Sequence, residues 1–113
     1  MSKVLIIVSS GAEAKEKAIT GMTLARNSRK NNLFEDVRVI FMGPSENLLA
    51  SADPDILSLY KDLVSTNVVA TACVGVAKQK NIELELSKIG LELERVGPVI
   101  SGLVDKGYVP MVF

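Results

Sequence analysis

The chain has 113 residues, 48% of them apolar, with 13 basic and 13 acidic side chains, one cysteine and no histidine. That fits one globular domain over residues 1–113 and excludes a Ser-His-Asp triad, a Cys-His dyad, an imidazole metal site and an internal disulfide. Zero formal net charge and 4% aromatics, with no tryptophan, leave no electrostatic or stacking basis for binding nucleic acid or an anionic membrane.

Val4 to Val8 is aliphatic on both faces, which predicts a central parallel strand. Five apolar residues are too few for a signal-peptide core or a membrane span. The unpaired thiol suits a reducing compartment, so the sequence predicts a soluble, cytoplasmic protein. Ser9-Ser10-Gly11 follows, with Ser10 and Glu13 at capping-box spacing. A first helix is expected from Ala12 to Asn31, with Ala14, Ala18, Met22 and Ala25 as its inner stripe. Arg26, Arg29 and Lys30 gather in its last turns, where the helix dipole favours cations.

Val37 to Met42 reads as the second strand, closed by a Gly43-Pro44-Ser45 turn. Asp53-Pro54 opens a second helix, Asp as N-cap and Pro at the first helical position. Ile56, Leu57, Tyr60, Leu63 and Val64 form its apolar side. Val68 to Ala72 is the third strand, with Cys73 at its end and a short helix over Val74 to Lys80. Glu83 to Ile89 is ambiguous and fits one helical turn. Leu91 to Val96, with Glu92, Glu94 and Arg95 among aliphatics, reads as a charge-protected edge strand. Gly97-Pro98 starts a helix carrying Val99, Ile100, Leu103 and Val104, stopped at Lys106-Gly107. Tyr108 to Phe113 is the last strand, and Pro110 places it at an edge, because proline has no N–H for a ladder. Strands alternating with helices predict an α/β fold: a three-layer α/β/α sandwich on an open, mostly parallel five-stranded sheet.

Parallel sheets bind ligands beyond the carboxyl ends of their strands. Ser9, Ser10, Gly11, Gly43, Val74 and Gly75 are therefore candidate substrate- or anion-binding positions around Cys73, the candidate catalytic residue. At a strand-to-helix junction, helix N–H groups favour a thiolate over a thiol. A free cysteine is also commonly a small buried hydrophobe. Both readings stand on residue type alone. No Walker A or GxGxxG pattern accompanies the serine loop, where simple capping competes with anion binding. Glu83, Glu85, Glu92 and Glu94 match no calcium loop and read as solvated charges, so no metal is expected.

In their order and spacing, several segments resemble the DsrE/DsrF-like sulfur-relay proteins, which include the TusD-type subunits. They are Lys3 to Ser9, Val39 to Pro44, Val68 to Cys73 with the short basic helix and Asn81-Ile82 after it, and Gly97 to Tyr108. The resemblance implies a five-stranded α/β/α sheet and a single cysteine that holds a persulfide, a position Cys73 fills. It also implies homo-oligomers, trimers or hexamers. No cofactor is expected. The expected partners are sulfur donor and acceptor proteins or small sulfur compounds. Some family members have no established activity, so the enzyme question stays open. The alternative is a non-catalytic small-ligand binding or assembly module with Cys73 merely packed. A flavodoxin-like flavin carrier ranks third, for want of aromatics to stack on the ring.

Overall fold

The computed structural model describes all 113 residues. Five strands form one parallel sheet: β1 (Lys3–Val8), β2 (Asp36–Phe41), β3 (Val69–Cys73), β4 (Glu92–Glu94) and β5 (Tyr108–Val112). Their order is β4-β3-β2-β1-β5. The two strands expected at the edges, β4 and β5, lie there. Pro110 is exposed on β5, opposite Leu5 of β1.

Six helices connect them: α1 (Lys15–Lys30), α2 (Pro44–Ala50), α3 (Pro54–Ser65), α4 (Val74–Gln79), α5 (Glu83–Lys88) and α6 (Val96–Asp105). The two faces of the sheet are covered unequally. On one face Val4, Ile6, Val8, Val37, Val39, Phe41 and Ala72 pack against buried residues of the first five helices. On the other, Leu5, Ile7 and Ile40 cluster with the buried Val96 and Leu103 of α6, the one helix on that face, and the half-buried Val99 and Ile100 pack against them. The alternation of strand side chains divides these sets, and on β1 both faces are apolar because both are covered.

Several expectations need correction. The first helix is interrupted: Ala12–Ala14 is a 3-10 turn, and α1 proper begins at Lys15. Of its expected stripe, Ala18, Met22 and Ala25 are buried, while Ala14 is only half-buried. Gly43-Pro44-Ser45 is not a simple turn but the head of α2. The ambiguous segment after Ile82 is a complete short helix, α5, which buries Leu86. Leu57 and Val64 are half-buried beside the buried Ile56, Tyr60 and Leu63 of α3. On α6, Val104 faces out at 46% exposure. No helix is long and apolar enough to cross a membrane.

Candidate functional site

Because β1, β2 and β3 are neighbours, the three loops at their carboxyl ends lie side by side. The first is closed on itself. Ser9 and Ser10 both donate their N–H groups to the Phe113 carbonyl, at 2.7 and 3.2 Å. Gly11 donates its N–H to Glu13 Oε1 at 2.9 Å, which holds the Glu13 carboxyl below its ordinary range. The Ser10 hydroxyl does not cap the helix; Gly11 occupies the cap position without a side-chain bond. The N–H groups of Ser9, Ser10 and Gly11, expected to be open to an anion, are thus engaged within the chain.

The first and second loops are also locked together. Ser45 donates its N–H to the Ser9 carbonyl at 3.0 Å, and its hydroxyl to the Val8 carbonyl. Gly11 presses against Pro44 so closely that a Cβ there would lie 2.6 Å from the Pro44 oxygen. Only glycine tolerates that approach.

Gly43 has φ +82°, the left-handed region that glycine adopts most readily, and it delivers the chain into α2. Pro44 opens that helix, and Glu46, three residues after Gly43, folds back so that its Oε2 accepts the Gly43 N–H at 3.1 Å. The Glu46 N–H in turn donates to the Gly43 carbonyl at 3.0 Å. This reciprocal pairing was present in the sequence as Gly-Pro-x-Glu, a helix-start signal. Glu46 itself is wholly buried. Burial pushes its carboxyl up to about 7, against the pull of the Gly43 N–H, the Lys80 ammonium and the Cys73 N–H. Its Oε1 has no hydrogen-bond partner.

Cys73 is the last residue of β3 and the N-cap of α4, in extended backbone conformation. Strand alternation sends Ala72 into the larger core and turns Cys73 to the α6 face. There it is half-buried and, like Met42, Val99 and Ile100, packs against the margin of the smaller core. Glu94 of β4 lies directly alongside in the ladder and is exposed. Val74 and Gly75 form the first turn of α4. A Cβ at Gly75 would sit 3.9 Å from the Cys73 sulfur, in ordinary van der Waals contact with it. α4 has only six residues, so its macrodipole is a small source of activation.

Two surface depressions exist, and neither contains Cys73. One, of about 400 Å³, is lined by Asn81, Glu83, Leu84 and Ser87. The other, of about 250 Å³, lies between the 3-10 turn and α2, with Glu13, Pro44 and Asn47 in its wall. No group of three or more His, Cys, Asp or Glu is placed to hold a metal ion. Glu92 and Glu94 stand exposed on the edge strand.

The fold is an all-parallel five-stranded α/β sheet, with the chain's one cysteine where the third strand enters a helix. The chain belongs to the DsrE/DsrF-like family, whose model matches residues 2–108. Among solved structures, it is similar to a conserved protein of unknown function from Bacteroides thetaiotaomicron. That match has a TM-score of 0.83 and 14% identity, covering 96% of this chain and 94% of that one. The ychN protein of E. coli is also similar, with a TM-score of 0.75, 16% identity and complete coverage of both chains. At such identities these likenesses speak to fold alone. No curated protein matches the chain.

Proposed function

We propose that this protein is a sulfur carrier that holds sulfane sulfur on Cys73 as a persulfide and passes it to a partner thiol. The observation that carries the reading is the position of Cys73. In a DsrE/DsrF-like chain without histidine, it is the one thiol, it is half-buried rather than enclosed, and it stands where β3 enters α4. Loading balances without a redox co-reactant. The Cys73 thiolate attacks the terminal sulfur of a donor persulfide or of thiosulfate. A new S–S bond forms, the donor's S–S bond breaks, and the electron pair leaves on the donor thiolate or on sulfite. Delivery is the same exchange, with the acceptor thiolate attacking the terminal sulfur and the Cys73 thiolate leaving. A second cysteine within the chain is not needed, because the partner supplies it. Incubation with polysulfide, removal of excess and cyanolysis should release close to stoichiometric sulfur from the wild type and none from Cys73→Ser. Equal, background release from both would overturn the proposal.

The assembly reading also has an observation in its favour. The sheet face covered only by α6 leaves Val69 and Val112 at 46% and 67% exposure. Apolar positions beside a half-covered sheet fit association of copies of this chain. Association of copies is compatible with sulfur carriage, whereas a non-catalytic module with Cys73 merely packed is the competing reading, and thiol titration under native conditions separates the two.

A further inference from the structure

The sheet face that carries the thiol has a one-sided charge around it. Ala72 pairs with Leu93 and Cys73 with Glu94, so β3 and β4 alternate in step. Ala72 and Leu93 pack with the larger core, which leaves Cys73 and Glu94 side by side on the α6 face. Thr71 and Glu92 are the next pair on that face, and Thr71 also pairs with Ile40 of the smaller core. Neighbouring strands run about 4.8 Å apart, and alternate residues of one strand about 7 Å. Both carboxylates therefore project beside the strip of β3 that ends in Cys73. Both are exposed, and neither belongs to an ion pair.

No cation near the thiol on this face offsets them. β3 has no charged residue, and the only charged residue of α6 is Asp105. Arg38 shares the face but pairs with Val69, four residues short of Cys73. That is about 13 Å along the strand, beyond the Debye length of about 10 Å at 0.1 M salt. Lys3 lies farther, at the start of β1, and is bound to Glu35. Lys106 caps the far end of α6, about 15 Å along the helix. The extended Arg95 follows Glu94, and alternation sends it to the side of Leu93. Lys78 belongs to α4, which packs into the larger core through Ala77. A sulfur compound that reaches Cys73 from this face therefore enters a field dominated by Glu94 and Glu92.

We propose that Glu94, aided by Glu92, is a specificity-determining residue at Cys73, selecting a partner protein whose reacting sulfur is flanked by lysine or arginine. The proposal rests on the sulfur-carrier reading and names the chemistry of the partner in that exchange. The carboxylates act on the approaching partner, not on the thiol itself. An anionic sulfur compound such as thiosulfate or polysulfide is repelled, and a cation beside the incoming sulfur is attracted. Unit charges about 6 Å apart in water change the encounter about threefold in either direction. Small anionic donors thus load Cys73, but slowly, and a cationic partner outpaces them about tenfold at low ionic strength.

The test uses short peptides with one cysteine, flanked on both sides by lysine, serine or aspartate and carried as a mixed disulfide with thionitrobenzoate. The Cys73 thiolate attacks the peptide sulfur, a new S–S bond forms, the old one breaks, and yellow thionitrobenzoate leaves with the electron pair. Its appearance gives the rate. At low ionic strength the wild type should prefer the lysine peptide over the aspartate peptide about tenfold. Glu94→Gln should lower that preference at least about twofold, and Glu94→Lys should bring the two peptides level or invert their order. Salt at about 1 M should flatten the wild-type preference. Equal preference in wild type and variants, or a variant that shifts all three rates by one factor, would overturn the assignment. A Cys73 that reacts with none of the peptides overturns it together with the carrier reading. Disulfide exchange needs no loaded sulfur, so charge selection without sulfur uptake contradicts only the carrier reading.

Discussion

Glu46 ties protein stability to pH, because its carboxyl is removed from water by folding. Its midpoint rises from 4.5 to about 7, so the folded chain binds that proton more tightly than the unfolded chain. The sign follows directly: relative to a chain without this group, the contribution is best below 4.5, declines as pH rises toward 7, and is flat above. The gap is worth roughly 3 kcal/mol at most. Glu46→Gln should therefore be more stable than wild type by about 1–3 kcal/mol above neutrality, with the difference shrinking in acid. Urea denaturation at several pH values checks this, and a constant difference across pH would contradict it. Gly11 sets a second test at this scale. Gly11→Ala drives a Cβ against the Pro44 carbonyl, a backbone atom with little freedom to move. The expected loss exceeds about 2 kcal/mol, read as a drop in the denaturation midpoint. Cys73→Ser, at a half-buried position, should cost under about 1 kcal/mol, so loss of sulfur binding in that variant cannot be blamed on unfolding.

Helix termini decide the loops between elements, and α3 shows this most clearly. Asp53 accepts the N–H groups of both Asp55 and Ile56 at 3.1 Å and pairs with Lys15 of α1 at 2.9 Å. Asp53→Ala should cost about 1 kcal/mol in thermal or urea unfolding, and an unchanged midpoint would show the cap to be idle. That cap was legible because Asp-Pro ahead of an apolar period has few other meanings. The strands were legible too, since Val, Ile and Leu runs on both faces require a covered parallel sheet. The α2 and α5 helices were not, because six or seven residues complete too few turns to display a period. At Glu46 the difficulty was different: Gly-Pro-x-Glu signals a helix start, but only the packing of α2 beneath the sheet shows the carboxyl buried. The position of Cys73 followed from β3 ending where the apolar run ends. The side it faces depended on a register that composition does not reveal.

At the scale of the whole molecule, asymmetry between the two sheet faces is the main feature. Five helices cover one and α6 alone covers the other, so a stable fold still leaves apolar surface at Val69 and Val112. If copies associate there, Val69→Lys with Val112→Lys should convert an oligomer to monomers in light scattering without lowering the unfolding midpoint. A wild type that is monomeric at micromolar concentration would contradict that association. The absence of histidine has its full meaning at this scale as well. Thiol chemistry here must draw on backbone N–H groups and nearby charge, since no imidazole base exists in the chain. The most direct test of the central claim is the intact mass of the protein after exposure to polysulfide or thiosulfate. The account predicts an added sulfur on the wild type, removable by an acceptor thiol and absent from Cys73→Ser. A wild-type mass that stays unchanged under every donor would contradict it.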